Sequence, residues 1–175
     1  MKRVSVILIG NLLTSKVLFE EIIKSKLKTL SIITKKKSKF NSDHQNLRIF
    51  TKKYKVPITF TNNVNSKKIE TFIKSQKPDY IFCIGWSSLL KKNILEIPKF
   101  FSIGFHPTEL PKNRGRNPII WSIFLKLKQT ASTFFILNEK ADNGPIISQK
   151  KILISKNESS TTLYKKILVV SKKQI

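Results

Sequence analysis

Cysteine, glycine, histidine and acid are all scarce in this chain, and each scarcity closes off a kind of chemistry. The one cysteine, Cys83, has no partner for an internal disulfide, and its apolar neighbours mark it as a packed thiol in a reducing compartment. Five glycines, Gly10, Gly85, Gly104, Gly115 and Gly144, are too few for a glycine-rich phosphate cradle. Gly10 stands alone after the first apolar run, where a dinucleotide fingerprint needs three, and no P-loop is present. Two histidines without metal-ligand spacing, and no second cysteine, leave zinc chemistry without support. No apolar run approaches the roughly 20 residues of a membrane helix. The opening Met1-Lys2-Arg3 and Val4 to Ile9 are too short for a secretion signal and read better as a buried strand. These absences predict a cytoplasmic protein with no membrane partner.

Ten Asp and Glu face thirty-four Lys and Arg, a formal net charge of +24. Such an excess suggests a polyanion partner. Only Arg3, Arg48, Arg114 and Arg116 are arginines, however, and nucleic-acid grooves favour the planar guanidinium fork. The lysines are spread along the whole chain apart from Lys35-Lys36-Lys37, and they accompany abundant Ile, Asn and Phe, the pattern an AT-rich genome imposes on any protein. A solvated surface is the preferred reading, with nucleic acid left open as a partner and the oligomeric state undetermined.

What is present is enough apolar material for a packed core: 40% hydrophobic residues, twelve of them Phe, in 175 residues. That length fits a single domain, residues 1–175, with no separate C-terminal domain. Val4 to Ile9 is a continuous apolar run of strand length ending at Gly10, as expected for a strand buried on both faces. From Ser15 the spacing of Val17, Leu18, Ile22 and Leu27 is helical. Leu30 to Ile33 reads as a strand, Ser42 to Tyr54 as a helix opened by a Ser42-x-x-Gln45 capping box, and Ile58 to Thr61 as a third strand. Ser66 caps a helix that stops before Pro78, and Tyr80 to Ile84 is a fourth strand. Further strands are predicted at Phe101 to Phe105, Ala131 to Leu137 and Ile146 to Ile154, with helices from Pro118 to Lys126 and Thr161 to Val170. The alternation defines an α/β, Rossmann-like fold: a mostly parallel central sheet with helices on both faces.

In such a sheet the site lies beyond the carboxyl ends of the strands. The segment Gly104 to Trp121 contains three prolines and two glycines in a long polar loop between strand and helix, more than a simple connection requires. His106 falls at the strand end, where a neutral imidazole can take a proton from an attacking amine. By position alone a structural histidine is an equal reading.

Gly104-Phe105-His106-Pro107-Thr108-Glu109-Leu110-Pro111, the basic spacer, Arg114-Gly115, then Pro118 and Trp121 resemble the signature of the 10-formyltetrahydrofolate-dependent formyltransferases. That family includes methionyl-tRNA, glycinamide ribonucleotide and sugar-amine enzymes. Asn138-Glu139-Lys140-Ala141-Asp142-Asn143-Gly144-Pro145-Ile146-Ile147 resembles its second motif, and weaker likeness runs over Met1 to Phe19, Ile81 to Leu90 and Thr162-Leu163-Tyr164. The resemblance implies that His106 and Asp142 are catalytic, with the carboxylate favouring the imidazolium formed during transfer. It implies that Ile84, Gly85, Trp86 and Leu90, with Asn138, bind the formyl donor 10-formyltetrahydrofolate, and that Lys112, Arg114, Gly115 and Arg116 bind the acceptor. Gly85-Trp86-Ser87 and Arg114-Gly115-Arg116 look most like the sugar-amine enzymes, which implies an amino-sugar nucleotide as substrate and a place in lipopolysaccharide or surface-glycan biosynthesis. A methionyl-tRNA formyltransferase-like protein, and an inactive folate or sugar-nucleotide binding module, are the alternatives. The sequence departs from the family at Gly104, where the family's catalytic Asn stands two residues before the histidine. Three readings of that departure stay open: an amide from Asn113, Asn117, Asn138 or Asn143 substitutes, backbone N–H groups and protonated His106 suffice, or the chain binds without transferring.

Overall fold

The computed structural model describes residues 3–38 and 41–175; Met1 and Lys2, at the head of the weaker resemblance, lie outside them. Seven strands, β1 (Ser5–Ile9), β2 (Lys28–Thr34), β3 (Ile58–Phe60), β4 (Tyr80–Cys83), β5 (Phe101–His106), β6 (Gln129–Ile136) and β7 (Ile146–Leu153), form one sheet in the order β3-β2-β1-β4-β5-β6-β7. The first five are parallel, while β6 runs antiparallel to β5 and β7 antiparallel to β6. The mostly parallel sheet read from the sequence is therefore present. At its antiparallel end, β6 and β7 are joined by residues 137–145, a connection too short for a crossover helix, which makes the two strands a hairpin.

Alternation along β1 splits the core. Val6 and Leu8 pack against Leu18, Phe19 and Ile22 of α1 (Leu13–Lys24) and Phe50 of α2 (Arg48–Tyr54). Ile7 and Ile9 point to the other face, against Ile69 and Ile73 of α3 (Lys67–Gln76) and Ile94 of α4 (Lys92–Leu95). A third cluster joins Ile152 of β7 to Ile119 and Ile123 of α5 (Pro118–Phe124) and Leu163 and Ile167 of α6 (Ser160–Lys172). Cys83 sits in the second core, where burial pushes its thiol up to about 12.

Two local expectations need correction. The Ser42-x-x-Gln45 capping box does not start a helix; α2 begins only at Arg48. The backbone of Asp43 and Gln45 is instead bonded to the turn after β1, with Leu13 N–H donating to Asp43 O at 2.9 Å and Gln45 N–H to Asn11 O at 2.8 Å. Long-range pairing thus outweighed a local capping signal worth about 1 kcal/mol. The single turn α4 was not read from the sequence at all.

Candidate active site at the carboxyl edge of the sheet

The parallel strands reverse direction of travel at β1, whose two neighbours are β2 and β4, and the crevice above that switch collects the turns after β1, β4 and β5. Gly10 and Gly85 let the first two turns touch. The Ser15 hydroxyl lies between them, accepting from Leu12 N–H at 3.0 Å and donating to Ile84 O at 2.6 Å. A Cβ at Gly10 would stand 2.1 Å from Ile84 O, and Gly85 has φ +63° with its would-be Cβ 2.6 Å from Ser15 Oγ.

Next along the edge, His106 ends β5 with its side chain 8% exposed. Its Nε2 lies 3.1 Å from the Asn113 carbonyl, which can only accept, so Nε2 carries hydrogen. Nδ1 faces Asp142 Oδ2 at 3.7 Å, too long for a hydrogen bond but close enough for strong attraction once the ring is charged. The same carboxylate oxygen accepts from Gly115 N–H at 2.9 Å. Asn113 and Gly115, two residues apart on the loop after β5, therefore hold one member each of the His106–Asp142 pair. Both have positive φ, 56° and 102°, and Asp142 itself sits at 48°. Short turns of left-handed backbone aim these groups inward, which explains the Asn, Gly and Asp at those positions.

The loop is pinned to the hairpin by residues that the sequence reading passed over. Thr130 donates to Pro107 O at 3.0 Å, Thr133 to Thr108 O at 2.6 Å, and Gln149 Nε2 to Leu110 O and Thr133 Oγ1, both at 3.0 Å. Their signal was faint, because Thr and Gln are ordinary strand residues and nothing local shows that their side chains reach the backbone of a distant loop. Tyr164 was read only as part of a weak likeness. Its hydroxyl donates to Asp43 Oδ2 at 2.9 Å and meets Thr14 Oγ1 at 2.6 Å, tying α6 to the start of α1, and burial pushes it up to about 12.

The other expected site residues do not all come together. Ile84 and Leu90 are buried and Trp86 is half-buried with an indole N–H that has no acceptor, while Lys35 Nζ lies 4.7 Å above its ring. Asn138 spends its Oδ1 on Lys140 N–H at 2.9 Å. Lys112, Arg114 and Arg116 are exposed on the loop's outer side. Asn113 meets His106 through its carbonyl, not its amide. The place of the missing side chain at Gly104 is filled: a Cβ there would stand 2.5 Å from Leu137 Cδ2 and 2.9 Å from Phe135 Cζ.

An open α/β domain with a His–carboxylate pair clasped in a polar loop beside the switch crevice is the architecture of a group-transfer or hydrolytic enzyme domain. The chain belongs to the formyl transferase family, whose sequence model matches residues 2–175. That family takes its formyl group from 10-formyltetrahydrofolate. The chain is 34% identical over 157 residues, 86% of its length and 23% of the relative's, to the bifunctional polymyxin resistance protein ArnA of Wigglesworthia glossinidia brevipalpis. It is 40% identical over 98 residues, 56% of its length and 32% of the relative's, to the methionyl-tRNA formyltransferase of Thermodesulfovibrio yellowstonii. In three dimensions it matches phosphoribosylglycinamide formyltransferase from Bacillus halodurans with TM-score 0.82 at 22% identity, over 97% of this chain and 90% of that one. It matches WlaRD, a sugar 3N-formyl transferase solved with dTDP and 5-N-formyl-THF, with TM-score 0.71 at 19% identity, over 99% of this chain and 61% of that one. The matched region spans about a quarter to a third of the length of these two curated relatives. No helix among the described residues is long and apolar enough to cross a membrane.

Proposed function

We propose that this chain moves a formyl group from 10-formyltetrahydrofolate to an amine, with His106 and Asp142 as the proton-handling pair. The observation that carries the reading is the 3.7 Å approach of His106 Nδ1 to Asp142 inside the loop clasp. The donor supplies an activated formyl carbon. With Nε2 donating to Asn113, the neutral ring offers its lone pair at Nδ1; an amine attacking the formyl carbon loses its proton there, and the imidazolium is held by the carboxylate. The same proton then goes to the departing donor nitrogen as the carbon–nitrogen bond breaks. The loop from Ile84 to Leu90, with a buried indole N–H lacking an acceptor, suits a flat, polar-edged ring such as the donor's pterin.

The acceptor we infer is the amine of a nucleotide-linked sugar, in keeping with a place in lipopolysaccharide or surface-glycan assembly. Its diphosphate would meet Arg114, Arg116 and Lys112. The sugar 3N-formyl transferase and ArnA likenesses support this reading. A methionyl-tRNA acceptor is the second reading, favoured by the methionyl-tRNA formyltransferase relatives and by the charge of +24.

Single-turnover assay with 10-formyltetrahydrofolate and a panel of amino-sugar nucleotides and charged initiator tRNA tests it. Transfer to a sugar amine, lost by about a hundredfold to ten-thousandfold in His106→Ala, is the expected result. Unchanged turnover in that variant overturns the proposed pair.

A further inference from the structure

Helix α5 is built inside out. Its seven residues, Pro118–Phe124, carry no charge, and its one polar side chain, Ser122, is buried with its hydroxyl donating to Pro118 O at 2.8 Å. Ile119 and Ile123 pack inward against the cluster of β7 and α6. The outward stripe is apolar: Ile120 is 61% exposed, Trp121 51%, Phe124 72% and the adjoining Leu125 52%. These positions are spaced i, i+1, i+4, i+5, so they form one continuous ridge. The rings of Trp121 and Phe124 already meet edge to face at 5.7 Å. Each of the other helices among the described residues carries at least one Lys or Arg. Isolated exposed apolar residues are ordinary on a protein surface, but a charge-free ridge of four on a strongly basic chain is not.

We propose that this ridge is the contact face of a homodimer, in which α5 lies across α5 of a second copy of the chain. A two-fold axis sets the same patch against itself, so its centre must be free of charge. In a chain of net charge +24 that condition is demanding, and α5 is the helix that meets it. An acidic partner would find no cation in the ridge to pair with, whereas an identical ridge matches it in chemistry and in length. With aromatic side chains burying about 150–250 Å² each, the fractional exposures correspond to about 500 Å² of apolar surface per copy, hence about 1,000 Å² in total. That lies at the lower edge of specific interfaces. The dimer is accordingly weak, forming in the micromolar range and dissociating on dilution.

Arg116 and Lys126 bracket the helix and stay at the rim, where they oppose the like charges of the partner copy. Salt screens that repulsion, so association strengthens as ionic strength rises. A complex with a polyanion would weaken under the same change. The inference is independent of the reaction assigned above, since its readout is mass rather than turnover.

Sedimentation velocity over about 1–100 μM protein, at low and at high salt, tests it. The expected result is a dimer fraction that grows with concentration and with salt, and a Trp121 emission that shifts to the blue in step. Phe124→Lys and Ile120→Lys abolish the dimer while leaving the circular dichroism intact, and the melting curve intact at dilutions where both proteins are monomeric, because both positions are exposed. Ile147→Lys on β7, 48% exposed and outside the ridge, leaves the dimer unchanged. A monomer at every concentration in high salt overturns the proposal, as does a dimer that survives both α5 substitutions.

Discussion

Gly104 and Leu137 act as one unit. The Leu137 side chain fills the space that a longer residue at 104 would need, 2.5 Å from the would-be Cβ. Gly104→Asn, the change that restores the family's residue, therefore overpacks the strand and lowers stability by about 1–3 kcal/mol. Leu137→Ala in the same chain relieves it, and a denaturation cycle over the two positions should give a coupling of about 0.5–3 kcal/mol of relieving sign. Additive effects would show that the two side chains do not compete. If the reaction proceeds as proposed, the double variant should also transfer faster than Gly104→Asn alone, since an oxyanion donor is worth about a hundredfold to a thousandfold. The approach of His106 to Asp142 was anticipated only through the family resemblance, since by position alone a structural histidine and a turn aspartate are equal readings. The Leu137 plug was not, because an apolar residue at a strand end looks the same whether it fills a core or an abandoned donor's place.

Among the elements, the parallel strands and the flanking helices were legible from apolar runs of strand length and from 3.6-residue spacing. Their caps were legible only in part: Ser66 stands at the N-cap of α3 but makes no side-chain capping bond. Ser159 accepts from Thr162 N–H at 3.1 Å and starts α6 as its composition suggests. Ser159→Ala should cost about 0.5–2 kcal/mol in a denaturant titration. The start of α2 was misread because its alternative partners, the backbone groups of Asn11 and Leu13, lie some thirty residues away in sequence. Glu70 shows a similar long reach. It is bonded to Lys74 and Lys67 within α3 and to Asn93 of α4 at 3.1 Å, and these contacts hold its carboxyl at about 2. A depressed folded-state value means stabilisation that is complete above the ordinary carboxylate value and is lost as pH falls toward about 2. Glu70→Gln should remove part of the pH dependence of stability between about 4.5 and 2 and leave the curve above that range flat, as followed by urea unfolding at successive pH values.

For the whole molecule, charge is the dominant departure from the average protein. With +24 on 175 residues, the folded state carries self-repulsion that a looser chain relieves. The melting temperature should rise with sodium chloride through the physiological range, because screening weakens repulsion between exposed lysines first. A melting temperature that falls with salt would mean that the Lys–Glu ion pairs among the described residues outweigh the excess charge. The parallel half of the sheet was readable because its connections follow general rules of handedness and burial. The joining of first and last elements was not, since no local pattern announces that Tyr164 will meet Thr14. That contact also has a consequence in time. The two residues are 150 apart, so at about 5–20 residues per second the ribosome finishes the turn after β1 roughly 8–30 s before it makes the hydroxyl that secures it. One wall of the crevice thus waits, half made, for α6 to be born.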